Sequence, residues 1–158
     1  MINYLIGDVT NPIGQGKKII VHCCNDVGLW GSGVVLAISK KWKQPEKEFK
    51  SLSISENIIG NTQIVLVEDD IFVANIIGQH NIHENEFRVP PIRYEAILIG
   101  LKKVVELAKS TDATIHMPRI GCFRAGGRWS IMEKVIESVV ENIDVYVYDF
   151  NAGEGYYK

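Results

Sequence analysis

The chain predicts an α/β fold built on a largely parallel sheet with helices on both faces, and three observations carry that prediction. Strand-like runs alternate with segments of helical spacing along the 158 residues. Some runs, such as Lys18 to Cys24, are apolar on both faces, as a strand covered on both sides must be. Two glycine-rich loops each follow one of these strands, where ligands bind in open parallel sheets. Nothing in the pattern reads as a repeat, a low-complexity tract or a linker, and the length fits one domain over residues 1–158.

In chain order, Asn3 to Ile6 is a short apolar strand that stops at Gly7, and Lys18 to Cys24 is a buried one. Gly33 to Trp42 has helical spacing with Val34, Leu36, Ala37, Ile38 and Trp42 available to one face. Pro45 interrupts it, and a short helix continues through Phe49. Gln63 to Val67 and Ile71 to Ile77 flank Asp69 and Asp70 and predict a hairpin with an acidic turn. A polar loop follows from Gly78 to Pro91. From Tyr94 to Lys109 the apolar residues Ile97, Leu101, Val104, Val105 and Ala108 recur at amphipathic-helix spacing. Thr114 to Met117 is a strand. Ser130 and Glu133 have capping-box spacing and predict the start of a helix that turns Ile131, Val135, Ile136, Val139 and Val140 to one side. Val145 to Phe150 closes the chain's regular structure as a final strand.

The totals exclude several classes. Hydrophobic residues at 46% and charged residues at 23% are ordinary globular values. A net charge of -2 lacks the basic excess of a nucleic-acid binder, so no nucleic-acid partner is expected. No apolar run is long enough for a membrane helix, and the first residues lack the basic and apolar regions of a secretory signal. Cys23 and Cys24 are adjacent and Cys122 is remote, so reduced thiols and a cytoplasmic setting are expected.

The first glycine-rich loop runs from Asn25 through Asp26, Gly28, Trp30, Gly31 and Ser32 to Gly33. Its glycines allow positive φ and close approach of the backbone to a ligand, and the helix that follows offers unpaired amides to an anion. It has neither the G-x-G-x-x-G spacing of a dinucleotide site nor the lysine of a Walker loop. The second loop, Pro118 to Trp129, also joins a strand to a helix and carries Arg119, Arg124 and Arg128. Amides with a guanidinium nearby suit a diphosphate. Asp8, just after the first strand, can accept from an exocyclic amine, and Tyr148 and Phe150 lie where a base might be flanked. His22, Asp26 and His80 are the ionisable groups near these loops, and histidine suits general acid or base work. His80, His83, Glu84 and Glu86 with the cysteine pair form a weaker metal pattern, whose spacing departs from zinc ligand sets; no metal and no cofactor are expected.

Taken together, Gly7-Asp8-Val9-Thr10-Asn11-Pro12, Ile20 to Asn25 with Gly28 to Val34, Met117 to Cys122 with Gly126, Gly127 and Trp129, and Val147 to Phe150 resemble the macrodomain family. The resemblance spans nearly the whole chain and points to the branch that holds ADP-ribose 1″-phosphate phosphatases and a terminal ADP-ribose protein glycohydrolase. It implies a three-layer α/β/α fold with a mixed central sheet. It also implies an ADP-ribose or ADP-ribosylated partner, with Asp8, Val9 and Phe150 at the adenine and Asn25 near the distal ribose. Trp30, Gly31, Ser32, Gly33 and Val34 would meet phosphate and ribose, and Pro118, Gly121, Cys122, Phe123, Arg124, Ala125 and Gly126 would close over the diphosphate. His22 matches a histidine of the phosphatase type. Gln79 and Ala125 stand where the glycohydrolase has its lysine and its aspartate. Hydrolysis of an ADP-ribosyl derivative, or binding without turnover, are the two activities this pattern supports.

Overall fold

β2 (Lys18–Asn25) runs through the middle of the molecule because its residues alternate between two apolar layers. Ile19 and Val21 face one core, while Ile20 and Cys24 face the other, and none of the four is more than 3% exposed. A strand buried on both faces needs helices above and below it. The computed structural model, which describes residues 1–54 and 58–150, supplies them.

The other elements are β1 (Ile2–Ile6), α1 (Val34–Lys41), α2 (Gln44–Lys50), β3 (Thr62–Glu68), β4 (Ile71–Gln79), α3 (Tyr94–Thr111), β5 (Thr114–Met117), α4 (Trp129–Val140) and β6 (Val145–Asp149). The six strands form one mixed sheet in the order β1-β6-β5-β2-β4-β3. Every ladder is parallel except that of the β3–β4 hairpin, which turns at Asp69 and Asp70.

One face of the sheet carries α3 and α4. Ile97, Leu101, Val104 and Ala108 of α3 and Met132, Ile136 and Val140 of α4 pack on Ile19, Val21, Ile115 and Val147. The opposite face carries α1 and α2, through Val35, Ile38 and Phe49 packed on Ile20, Val73 and Ile77. Each fully buried aliphatic side chain of this kind contributes about 1.5–3 kcal/mol. No helix of the described residues is long and apolar enough to cross a membrane, and Cys23, Cys24 and Cys122 are free thiols.

Two expectations are corrected. Ser130 and Glu133 do not form a capping box: α4 begins at Trp129 with Arg128 as its N-cap, which places Ser130 inside the first turn. The Arg128 amide donates instead to the Tyr94 hydroxyl at 2.8 Å, and Glu133 accepts from the Tyr4 hydroxyl. The last strand ends at Asp149, one residue early, and leaves Phe150 outside it and 67% exposed.

The topology positions the site. From β2 the chain works towards β4 on one side, and from β5 it works towards β6 on the other. The connections diverge between β2 and β5, so their following loops leave a crevice at the carboxyl ends of the strands.

Candidate functional site

That crevice is a groove of about 670 Å3, lined by the end of β2, both glycine-rich loops, Lys50 and the end of β4 with Ile82 and His83. Its size is that of a site for a small organic ligand.

Asn25 builds the first loop. Its Nδ2 donates to the Leu29 carbonyl at 2.8 Å, and its Oδ1 accepts from the amides of Val27 and Leu29 at 3.1 and 3.0 Å. One side chain thus uses up the loop's first polar groups. The loop ends at Gly33, whose φ of 80° and ψ of -146° belong to a region that only glycine occupies readily. A side chain there would meet nothing within 4 Å; the backbone conformation, not crowding, requires glycine. Among the described residues, the amides of Gly31, Ser32 and Gly33 have no acceptor, and they precede the N-terminus of α1.

Beneath this loop stand Trp30 and His22. The indole of Trp30 donates to Ser39 Oγ at 2.7 Å and packs edge-on against the imidazole of His22, with ring centres 5.3 Å apart. His22 is not at a strand end, as the sequence implied, but in the interior of β2 and 0% exposed. Asn75 Nδ2 donates to the Pro45 carbonyl, so its Oδ1 accepts, and His22 Nε2–H donates to it at 2.6 Å. Burial disfavours the imidazolium and lowers the pKa to about 4, against the partial support of the Asn75 bond.

The second loop is held from outside itself. The Ile92 amide donates to the Ala125 carbonyl at 3.0 Å, and the Gly127 amide donates to the Gly121 carbonyl at 2.8 Å. A Cβ on Gly127 would lie 2.4 Å from that carbonyl oxygen, so no other residue fits the loop as it is closed. Among the described residues the amides of Arg124, Ala125 and Gly126 have no acceptor. The guanidinium of Arg124 lies over the Phe123 ring at 5.8 Å, and both residues line the groove. Arg119 does not join Arg124 as a free cation. Its Nε and Nη2 donate to Asp149 Oδ1 and Oδ2 at 2.8 and 2.9 Å, and those bonds raise its pKa.

The electrostatics of the lining follow from its composition. Lys50, Arg119 and Arg124 contribute cations, and among the described residues no carboxylate belongs to the lining, in a chain whose net charge is -2. Thiols do not add charge: burial pushes Cys23 up to about 12 and Cys122 up to about 11.

Most of the residues singled out from the sequence come together here. Asn25, Trp30, Gly31, Ser32, Gly33, Val34, Pro118, Gly121, Cys122, Phe123, Arg124 and Ala125 line the groove, as does His22. Asp8, Val9, Gly126 and Phe150 do not. Asp8 Oδ1 accepts from the amide and hydroxyl of Thr10 at 2.8 and 2.7 Å, and Val9 is buried in the core. Tyr148 is a core residue, its hydroxyl shared between the Ile13 amide and His116. Asp26 and His80 also stay out of the lining but pair with each other. His80 Nδ1–H donates to Asp26 Oδ2 at 2.6 Å, and the Asn81 amide donates to Oδ1 at 2.7 Å. Among the described residues no group of three or more His, Cys, Asp or Glu is placed to hold a metal ion, so His80, His83, Glu84 and Glu86 are not assembled as ligands. Sequence reasoning passed over Lys50, Leu29 and His83 as parts of the lining. His83 entered that reasoning only in the metal pattern and Leu29 only as part of the Gly28 to Val34 run, and the short helix read through Phe49 stopped one residue before Lys50.

No family model matches the chain. A solved structure of a protein of unknown function from Bacteroides thetaiotaomicron is 48% identical, covers 94% of this chain and 98% of its own, and superposes with a TM-score of 0.90. A macrodomain protein from Streptomyces coelicolor is 40% identical over 96% of this chain and 100% of its own, with a TM-score of 0.79. The chain belongs to the macrodomain family. Among curated proteins, this macrodomain is 31% identical to the mouse Chromodomain-helicase-DNA-binding protein 1-like, and it spans only 18% of that protein's length and 16% of its zebrafish counterpart's. It is also 24% identical to a Candida albicans ADP-ribose 1″-phosphate phosphatase, over 94% of this chain and 99% of that protein.

Proposed function

We propose that the groove grips the diphosphate of an ADP-ribosyl group and that the chain hydrolyses an ADP-ribosyl derivative, either ADP-ribose 1″-phosphate or an ADP-ribosyl ester on protein. One observation carries this reading: two loops whose amides lack acceptors among the described residues face each other across the divergence of β2 and β5, in a groove that the described residues line with cations and no carboxylate. Backbone amides fixed in this way hold an anion without the entropy of long side chains. The adenosine would extend towards Asp8, Val9 and Phe150, where β1 and β6 end, and the distal ribose towards Asn25 and Gln79. The 24% identical phosphatase supports the same ligand class.

Proton transfer falls to His80 in this reading. Asp26, 2% exposed at its side chain, holds the Nδ1–H, which leaves Nε2 of a 44% exposed imidazole to take or give a proton. His80 follows Gln79, which lines the groove. His22 has a different part: with a pKa near 4 and both neighbours fixed, it is a neutral pillar under Trp30.

A second reading, a reader that binds without turnover, is favoured by Gln79 and Ala125 and by the lack of a lining carboxylate among the described residues. Calorimetry with ADP-ribose and turnover assays on ADP-ribose 1″-phosphate and an ADP-ribosylated protein separate the two. We expect heat on titration and release of phosphate or ADP-ribose, with His80→Ala slowing release about a hundredfold while binding persists. Binding with no release of either product establishes the reader. No heat at all removes both.

A further inference from the structure

Arg119 is the arginine of the groove lining whose Nε and Nη2 are both held by one carboxylate of the protein. It lies two residues after β5, in the loop that carries the acceptor-less amides of Arg124 to Gly126. Its carboxylate partner, Asp149, ends β6, and both side chains are largely withdrawn from water, at 17% and 23% exposure. The guanidinium carbon also lies over two rings, that of Tyr4 at 5.1 Å and that of Trp129 at 5.3 Å. Those rings are tied to each other, because Trp129 Nε1–H donates to the Tyr4 hydroxyl at 2.9 Å. Tyr4 belongs to β1, and Trp129 is the first residue of α4, at the far end of the same loop.

One side chain therefore links the loop after β5 to the end of β6 and the middle of β1. The Asp149 carbonyl also accepts from the Gly7 amide at 2.9 Å, which brings the turn at Asp8 into the same assembly. A planar fork can hold this geometry and a point charge cannot.

We propose that Arg119 is a positioning residue, which fixes the 118–126 loop relative to the Gly7–Asp8 and Asp149–Phe150 ends without contacting the anion itself. The proposal deepens the ADP-ribosyl reading and rests on it for the identity of the ligand. It assigns the spacing between the diphosphate nest and the adenosine end to the Arg119–Asp149 clip.

The alternative, Arg119 as a direct phosphate ligand, predicts the opposite sign for one variant. A ligand arginine released from its carboxylate would bind an anion better, whereas a positioning arginine deprived of it would bind worse. Calorimetric titration with ADP-ribose at two salt concentrations, on the full chain and on Arg119→Gln, Arg119→Lys, Asp149→Asn and the Arg119→Gln/Asp149→Asn pair, reads this directly. We expect each single variant to weaken binding about tenfold or more. The double variant should be no worse than the weaker single one, since both remove the same clip. The dependence of affinity on salt should stay that of the wild type. Unchanged or tighter binding by Asp149→Asn, wild-type affinity in Arg119→Lys, or a flattened salt dependence in Arg119→Gln each overturns the proposal.

Hydrogen exchange supplies a readout that needs no ligand. The hydrogen-bonded amides of Ile120, Cys122 and Gly127 should exchange faster in Arg119→Gln and Asp149→Asn, while those of Val27 and Leu29 keep their wild-type rates. Equal acceleration in both loops, or none in the second, overturns the positioning role. Failure of the wild type to bind ADP-ribose, with exchange as expected, would fall on the functional reading and leave the clip standing.

Discussion

The two loops that face each other across the groove have the same composition in outline and opposite construction. The 25–33 loop takes its turn geometry from within, because Asn25 bonds to groups within four residues of itself and Gly33 sets the exit angle, while Asp26 reaches out to His80 and Asn81. The 118–128 loop is closed from Gly127 to Gly121 and otherwise depends on distant elements: Ile92 for Ala125, Asp149 for Arg119, and Tyr94 for Arg128. Local bonds survive small movements of the surrounding fold better than long-range ones do. The first nest should therefore be the less sensitive of the two to changes in the framework.

The largest expected effect is at the second loop's closure. Gly127→Ala places a methyl carbon 2.4 Å from the Gly121 carbonyl oxygen, so the loop must open. We expect a loss of about 2–4 kcal/mol in stability by urea unfolding. Calorimetry should find no ADP-ribose binding. A variant that folds and binds as the wild type would show that the closure is dispensable.

Acid should act next, through the pillar under the first loop. His22 and His116 are both buried and neutral, with burial lowering each to about 4 from an ordinary value near 6.5. The unfolded chain takes up protons below pH 6.5 while the folded one does not until about pH 4, so stability present above pH 6.5 falls across that window. Each histidine should cost about 2 kcal/mol between pH 7 and pH 5. Denaturation midpoints that stay level over that interval would contradict the burial of these rings.

The smallest effect should come from Asn25→Ala. Its three bonds are partly exposed, so stability should fall by about 1–2 kcal/mol. Faster exchange should stay within residues 25–33. Spread of that exchange into residues 118–126 would erase the contrast between the two loops.

The same contrast explains what could be read without coordinates. The amphipathic spacing of Ile97, Leu101, Val104 and Ala108, the doubly apolar β2 and the hairpin around Asp69 and Asp70 are local patterns, and each element forms where its pattern lies. Both glycine-rich loops were legible for the same reason. The misses share a cause too. Ser130 and Glu133 have the spacing of a capping box, but Tyr94 takes the Arg128 amide and Tyr4 donates to Glu133, both from elsewhere in the chain. The sequence showed Arg119 only as one of three arginines beside a diphosphate-ready loop, and could not show that Asp149, thirty residues on, holds it. His80 and Asp26 are 54 positions apart, and only the parallel ladder between β2 and β4 makes them neighbours.

The register between the outermost pair of parallel strands has a consequence for assembly. Ile2 pairs with Val145, and Ile6 with Asp149, so among the described residues the first strand of the sheet finds its ladder partner in the last. Closing so large a loop is slow compared with forming the β3–β4 hairpin. We expect the sheet to be completed from its centre outwards, with the edge that joins β1 to β6 the last part of this domain to become ordered.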